Sequence, residues 1–150
     1  VIQKMIQSEI SGVAFTVHPV TEDHDQMIIE AGFGLGEAIV SGQITPDSYV
    51  VNKGELNILD INVSDQSRKL IRKINNQKGE EDKENEVNHW VSTGKDGDKQ
   101  KLTGKQIITA TQAFANIEKH YGFPCDIEWA MESGKLYIIQ SRPITTLKPN

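Results

Sequence analysis

The chain has 150 residues, 37% apolar and 25% charged, a length suited to one domain with a sizeable core. Its net charge of −5 argues against a general binder of nucleic acid or of a membrane surface, because polyanions attract basic proteins. A lone cysteine, Cys125, excludes an internal disulfide framework and fits a reducing, cytoplasmic setting; no apolar run is long enough to cross a bilayer and no signal peptide is visible. From Val1 the sequence already alternates apolar and polar residues, so the chain reads as a piece cut from something larger.

Short strands are expected first, over Ile2–Ile6, Gly12–Val17 and Met27–Glu30. Gly32-Phe33-Gly34-Leu35-Gly36 breaks the pattern, and Glu37–Val40 suits a helical turn. The spacing is not G-x-G-x-x-G and no long helix follows, so a dinucleotide loop is disfavoured. Further strands are expected over Ser48–Asn52, Leu56–Val63 and Lys69–Ile74, with Asn52-Lys53-Gly54-Glu55 as a hairpin turn. Residues 75–101 are dense in charge and read as a flexible surface excursion, touching the core only through Val87 and Trp90-Val91.

Thr103-Gly104-Lys105-Gln106 fits a capping box, with Leu102 and Ile107 as the accompanying apolar staple. Ile107, Ala110, Phe114, Ile117 and Tyr121 then share one helical face, and Gly122 with Pro124 ends the helix. A terminal hairpin follows, Asp126–Met131 and Leu136–Arg142. A three-residue loop, Glu132–Gly134, would place even-numbered residues of both strands on one face. That face carries Asp126, Glu128, Gln140 and Arg142, with Ala130, Leu136 and Ile138 nearer the turn. The odd face is the apolar set Ile127, Trp129, Met131, Tyr137 and Ile139. Two acids, an amide oxygen and a guanidinium suit magnesium and phosphate, since magnesium takes few hard oxygen ligands from protein and Arg offers a planar fork. The same four residues also read as an ion-paired surface. The expected architecture is α+β, a mainly antiparallel sheet with packed helices. The four histidines, His18, His24, His89 and His120, lack metal-ligand spacing.

Asp126-Ile127-Glu128-Trp129-Ala130 and Leu136–Thr145 resemble the closing segment of the ATP-grasp domain in the family of phosphoenolpyruvate synthases, pyruvate phosphate dikinases and rifampicin phosphotransferases. Ser11–Thr16, Pro19-Val20-Thr21, Glu30–Gly42 and Thr45–Tyr49 resemble the same family, in family order. The resemblance implies the C-terminal subdomain of an ATP-grasp domain over residues 1–150. It implies Glu128 and Gln140 as magnesium and phosphate ligands, Arg142 as a phosphate contact and Asp126 as a supporting acid. It also implies backbone contacts of Gln3 and Met5 to the adenine edge, with Glu37 a weaker candidate. His18 stands where relatives often carry a small or amide residue.

The implied reaction is phosphoryl transfer from ATP through a phosphohistidine on another domain, in a phosphoenolpyruvate synthase; rifampicin phosphotransferase and pyruvate phosphate dikinase are the alternatives. The implied partners are ATP, Mg2+ and the rest of the parent enzyme, namely the N-terminal ATP-grasp half and the phosphohistidine domain. The fragment alone is expected to be inactive, and its edge near Val1 to be open to self-association. A non-catalytic nucleotide-sensing or interaction module is the alternative of another class.

Overall fold

The computed structural model describes residues 9–74 and 86–144. In chain order the elements are β1 (Ile10–Phe15), β2 (Gln26–Phe33), α1 (Gly36–Val40), β3 (Asp47–Asn52), β4 (Asn57–Asn62), β5 (Arg68–Ile74), β6 (Glu86–Ser92), a 3-10 turn at Gly94–Asp96, α2 (Gly104–Tyr121), β7 (Cys125–Glu132) and β8 (Lys135–Pro143). Six strands form one antiparallel sheet in the order β4-β3-β2-β1-β7-β8, and β5 with β6 forms a separate two-stranded ribbon. The α+β, mainly antiparallel architecture is the one expected. The strand expected over Ile2–Ile6 lies outside the described residues.

One face of the sheet is covered by α2. Met27, Ile29, Tyr49, Val51, Ile127, Trp129 and Met131 meet Ile107, Ala110 and Phe114 there in a fully buried core. The helix starts as its sequence dictates: the Thr103 side chain accepts from the Gln106 amide, and the Gln106 side chain accepts from the Thr103 amide. Gly122 ends it in the left-handed conformation, φ 79°. The apolar stripe outruns the core, since Ile117 is half-buried and Tyr121 is exposed.

At the centre of the sheet, β1 runs between β2 and β7, and Gly12 leaves room for the β2 backbone and for the Trp129 ring of β7. A Cβ there would stand 1.7 Å from the Glu30 carbonyl oxygen and 2.9 Å from Cζ2 of Trp129. Gly12→Ala is therefore expected to destabilise the fold by about 3 kcal/mol, the upper end of ordinary overpacking. Urea unfolding of the variant checks this; an unchanged midpoint would mean that the strands are free to part.

Among the described residues the opposite face is covered at one end only. There Leu35 and Ala38 of the α1 region pack with Leu70 of β5, flanked by Ile44 and Trp90. The Leu35 amide donates to Leu70 O at 2.8 Å, which ties the ribbon to the end of β2.

Residues 86–101 depart from the surface excursion expected of them. Glu86–Ser92 pairs along the whole of β5, and the Arg68 guanidinium lies 4.0 Å from the centroid of the Trp90 ring. At the end of this stretch Lys101 is wholly buried. Its Nζ donates to Asp47 Oδ1 at 2.9 Å, to Ser64 O at 2.6 Å and to Gly97 O at 3.3 Å. Asp47 Oδ2 accepts from the Tyr49 hydroxyl at 2.7 Å and from the Lys101 amide at 2.9 Å. Burial pushes the Tyr49 phenol well above its ordinary pKa, and its hydrogen bond to Asp47 adds to the shift. This cluster joins β3, the segment after β4 and the approach to α2.

Candidate functional site

The turn of the terminal hairpin has two residues, not three. Ser133 and Gly134 both take positive φ, 52° and 76°, the pattern of a type I′ turn, and Glu132 pairs with Lys135. This shifts the register by one from that expected, pairing Met131 with Leu136, Ala130 with Tyr137 and Trp129 with Ile138. A bulge then shifts it once more. Ile139 is the extra residue, after which Glu128 faces Gln140, Ile127 faces Ser141 and Asp126 faces Arg142.

The two shifts restore the expected face where it matters. Asp126, Glu128, Gln140 and Arg142 stand together on the side away from α2, as two direct cross-strand pairs. Nearer the turn the expectation fails. Leu136 and Ile138 pair with Met131 and Trp129, which places them on the α2 side, and Tyr137 pairs with Ala130 on the polar side. Ile139 is the bulge residue and is 44% exposed, so it is not part of the apolar core face.

Arg142 Nε lies 3.4 Å from Asp126 Oδ2, with the carboxylate more buried than the guanidinium. Such a half-exposed pair adds little stability, but it restrains the direction of the guanidinium. Glu128 is half-buried and Gln140 is exposed beside it. Both side chains present oxygen donors on one face, a set that suits magnesium. Among the described residues no group of three or more His, Cys, Asp or Glu side chains is placed to hold a metal by itself.

The register extends this face across the sheet. Glu128 pairs with Val13, Val13 with Glu30, Glu30 with Ser48 and Ser48 with Asn62. Glu30 is thus a second acid in the row of Glu128, about 10 Å away across β1 at ordinary strand spacing. No role was expected for it, although a lone acid closing the apolar run Met27-Ile28-Ile29 was a signal. One row along, Ser11 pairs with Gly32 and Ala130, and its hydroxyl donates to Gly34 O at 2.5 Å beside the start of α1. The face is therefore walled at that end by α1.

Burial pushes the Glu30 carboxyl above its ordinary value of 4.5. The folded protein then binds a proton that the unfolded chain releases, so the stability linked to Glu30 is full below pH 4.5 and is lost as pH rises through the higher folded value. Glu30→Gln is accordingly expected to raise the melting temperature at neutral pH and to give no gain in acid. A pH series of melts on both proteins checks this, and a difference that does not vary with pH would count against it.

Other singled-out residues lie elsewhere. Glu37 is exposed on α1, and its Oε2 accepts from Asn88 Nδ2 of β6 at 2.9 Å, a tether between helix and ribbon. His18 Nδ1 accepts from the amides of Val20 and Thr21, both at 3.2 Å, so the ring fills the part that a short amide side chain plays in a turn. Cys125 is buried, and burial pushes its thiol up. Gln3 and Met5 lie outside the described residues. No helix among the described residues is long and apolar enough to cross a membrane.

Comparison with known proteins adds a sequence-wide likeness. The family described as pyruvate phosphate dikinase, AMP/ATP-binding domain, matches residues 1–150. A probable phosphoenolpyruvate synthase of Methanocaldococcus jannaschii is 45% identical over 148 residues, covering 99% of this chain and 12% of the relative. Phosphoenolpyruvate synthase of Pyrococcus furiosus is 46% identical over 153 residues, covering 99% and 18%. Rifampicin phosphotransferase of Bacillus subtilis is 37% identical over 152 residues, covering 99% and 16%. The chain thus spans less than a fifth of the length of these relatives. With the family matched from Val1 to Asn150 and the polar strand pair in place, the chain belongs to the AMP/ATP-binding domain family of pyruvate phosphate dikinase.

Proposed function

We propose that this chain is the ATP- and magnesium-binding part of a dikinase of the phosphoenolpyruvate synthase type, the C-terminal half of an ATP-grasp domain. The carrying observation is the strand pair in which Glu128 faces Gln140 and Asp126 faces Arg142 on the side of the sheet away from α2. Glu128 and the Gln140 amide oxygen would hold magnesium, which when bound neutralises phosphate charge. Arg142, restrained by Asp126, offers its fork to phosphate oxygens. The backbone near Gln3 and Met5 would meet the adenine edge. Mounting on paired strands fixes these groups before the nucleotide arrives, and preorganised charge is the main source of catalysis in phosphoryl transfer.

In the parent enzyme both the β- and γ-phosphates of ATP would be cleaved from AMP, the β-phosphoryl group ending on a histidine of a separate domain and the γ-phosphoryl group passing to water as inorganic phosphate. The relatives favour pyruvate as the eventual acceptor, and the rifampicin phosphotransferase likeness keeps an antibiotic hydroxyl as the second reading. The test is to supply the full-length polypeptide with ATP and magnesium and to separate the nucleotide products. AMP is expected, formed only in the presence of magnesium. ADP as the sole product would overturn the dikinase reading, and tight ATP binding without turnover would make the chain a nucleotide-sensing module.

A further inference from the structure

We propose that a groove between the end of α2 and the edge strand β8 is a docking surface for an apolar segment of the longer polypeptide; this rests on the reading of the chain as part of a larger enzyme. The groove is open, has a volume of ≈ 380 Å³ and is lined by Asn116, Ile117, His120, Tyr121, Ile138 and Ser141. None of these six side chains carries an acid, a lysine or an arginine, so a charged occupant finds no complement. The floor and rim are apolar and open to solvent: Tyr121 is 53% exposed, Ile138 42% and Phe123 39%, with the Tyr121 and Phe123 rings 5.7 Å apart. β8 ends the sheet, and among the described residues no strand lies beyond it. An apolar patch beside an unpaired sheet edge is a liability that proteins ordinarily cover.

The register shows which side the groove occupies. Ile138 pairs with Trp129 and Ser141 with Ile127, both on the α2 side, so an occupant would sit on the reverse of the sheet from Glu128 and Gln140. It could stay bound through the reaction without blocking the nucleotide.

Two observations favour the same polypeptide over a second copy. More than four-fifths of each matched relative lies outside the aligned region, which leaves ample chain to supply a cover. Where β8 ends, the Ile144 amide donates to Pro124 O at 3.0 Å, so the backbone leaves the sheet beside Phe123 and Tyr121. A segment tethered there meets the groove at an effective concentration on the order of millimolar, whereas a second copy must reach it from dilute solution.

The test uses the full-length polypeptide with the photoreactive amino acid p-benzoylphenylalanine at position 138, irradiated and mapped by peptide mass spectrometry. The expected result is an intramolecular crosslink to an apolar segment outside residues 1–150. A crosslink to another copy, a crosslink confined to residues 1–150, or no crosslink would each overturn the proposal. The same probe at position 120 replaces the first should the variant at Ile138 fail to fold. AMP formation measured on the same samples keeps the two readings apart. AMP without the crosslink sinks the docking surface alone, and the crosslink without AMP sinks the dikinase reading alone.

Discussion

In the full-length polypeptide, Glu128→Ala is expected to lower AMP formation from ATP by at least ~100-fold, on the scale of losing one preorganised charge-stabilising group. Glu128 faces Gln140 across the bulged strand pair, and the two are the hard-oxygen donors proposed for magnesium. Without the carboxylate, the amide oxygen alone would neither balance the charge of a bound magnesium nor fix its position. The fold should be indifferent to the change. Among the described residues the Glu128 side chain makes no hydrogen bond or ion pair, and it is only half-buried on the face away from α2. The melting temperature is accordingly expected to stay within a few degrees of the parent protein. Glu128→Gln serves as the stricter variant, because it keeps the shape and removes the charge. Near-normal AMP formation by either would remove Glu128 from the site.

The largest stability effect is expected at the other end of the sheet. Lys101→Met should cost about 3–5 kcal/mol, because it strips the cation from a carboxylate that is itself wholly buried. Against a typical total of about 5–15 kcal/mol, such a loss brings the domain close to unfolding. Asp47→Asn combined with Lys101→Met should cost less than the sum of the two single changes, since no charge is then left without its partner. Urea unfolding of the two singles and the double measures the coupling. Simple additivity would mean that the pair does not act as a unit. The consequence for the site is geometric: Asp47 pairs with Ala31, and its neighbour Ser48 with Glu30, so the ion pair anchors the strand that borders the polar face.

Much of the local structure was legible because it depends on neighbours in sequence. The capping box at Thr103 and Gln106 needs only residues three apart, and the left-handed Gly122 needs only its missing side chain. Both formed as expected. The turn at Asn52–Glu55 is of the same kind, with the Glu55 amide donating to Asn52 Oδ1 at 2.9 Å. The terminal hairpin was legible as two strands, but its register was not. A two-residue turn and a bulge at Ile139 each moved the pairing by one residue, and the two shifts added up to the expected parity for Asp126, Glu128, Gln140 and Arg142. Between them, Tyr137 exchanged faces with Leu136 and Ile138. A one-residue slip reverses every side chain, so this stretch could be decided only by which residues the helix covers.

Some features depend wholly on distant partners. The sequence from Asn75 to Lys101 is polar enough to suggest a surface excursion, yet Lys101 is buried because Asp47, 54 residues away, waits for it with Tyr49 and Ser64. Glu30 joins the row of Glu128 only because β1 lies between their strands. By itself the sequence determined the six strands of the main sheet and the capped helix, the polar set on the last two strands, and the family, since each of these is written in short runs of neighbouring residues. Tertiary structure alone decided the hairpin register, the buried Asp47–Lys101 pair, the row that brings Glu30 into line with Glu128 and the apolar groove behind them. These rest on contacts between segments far apart in the chain, where the energy of burial and pairing outweighs any local preference.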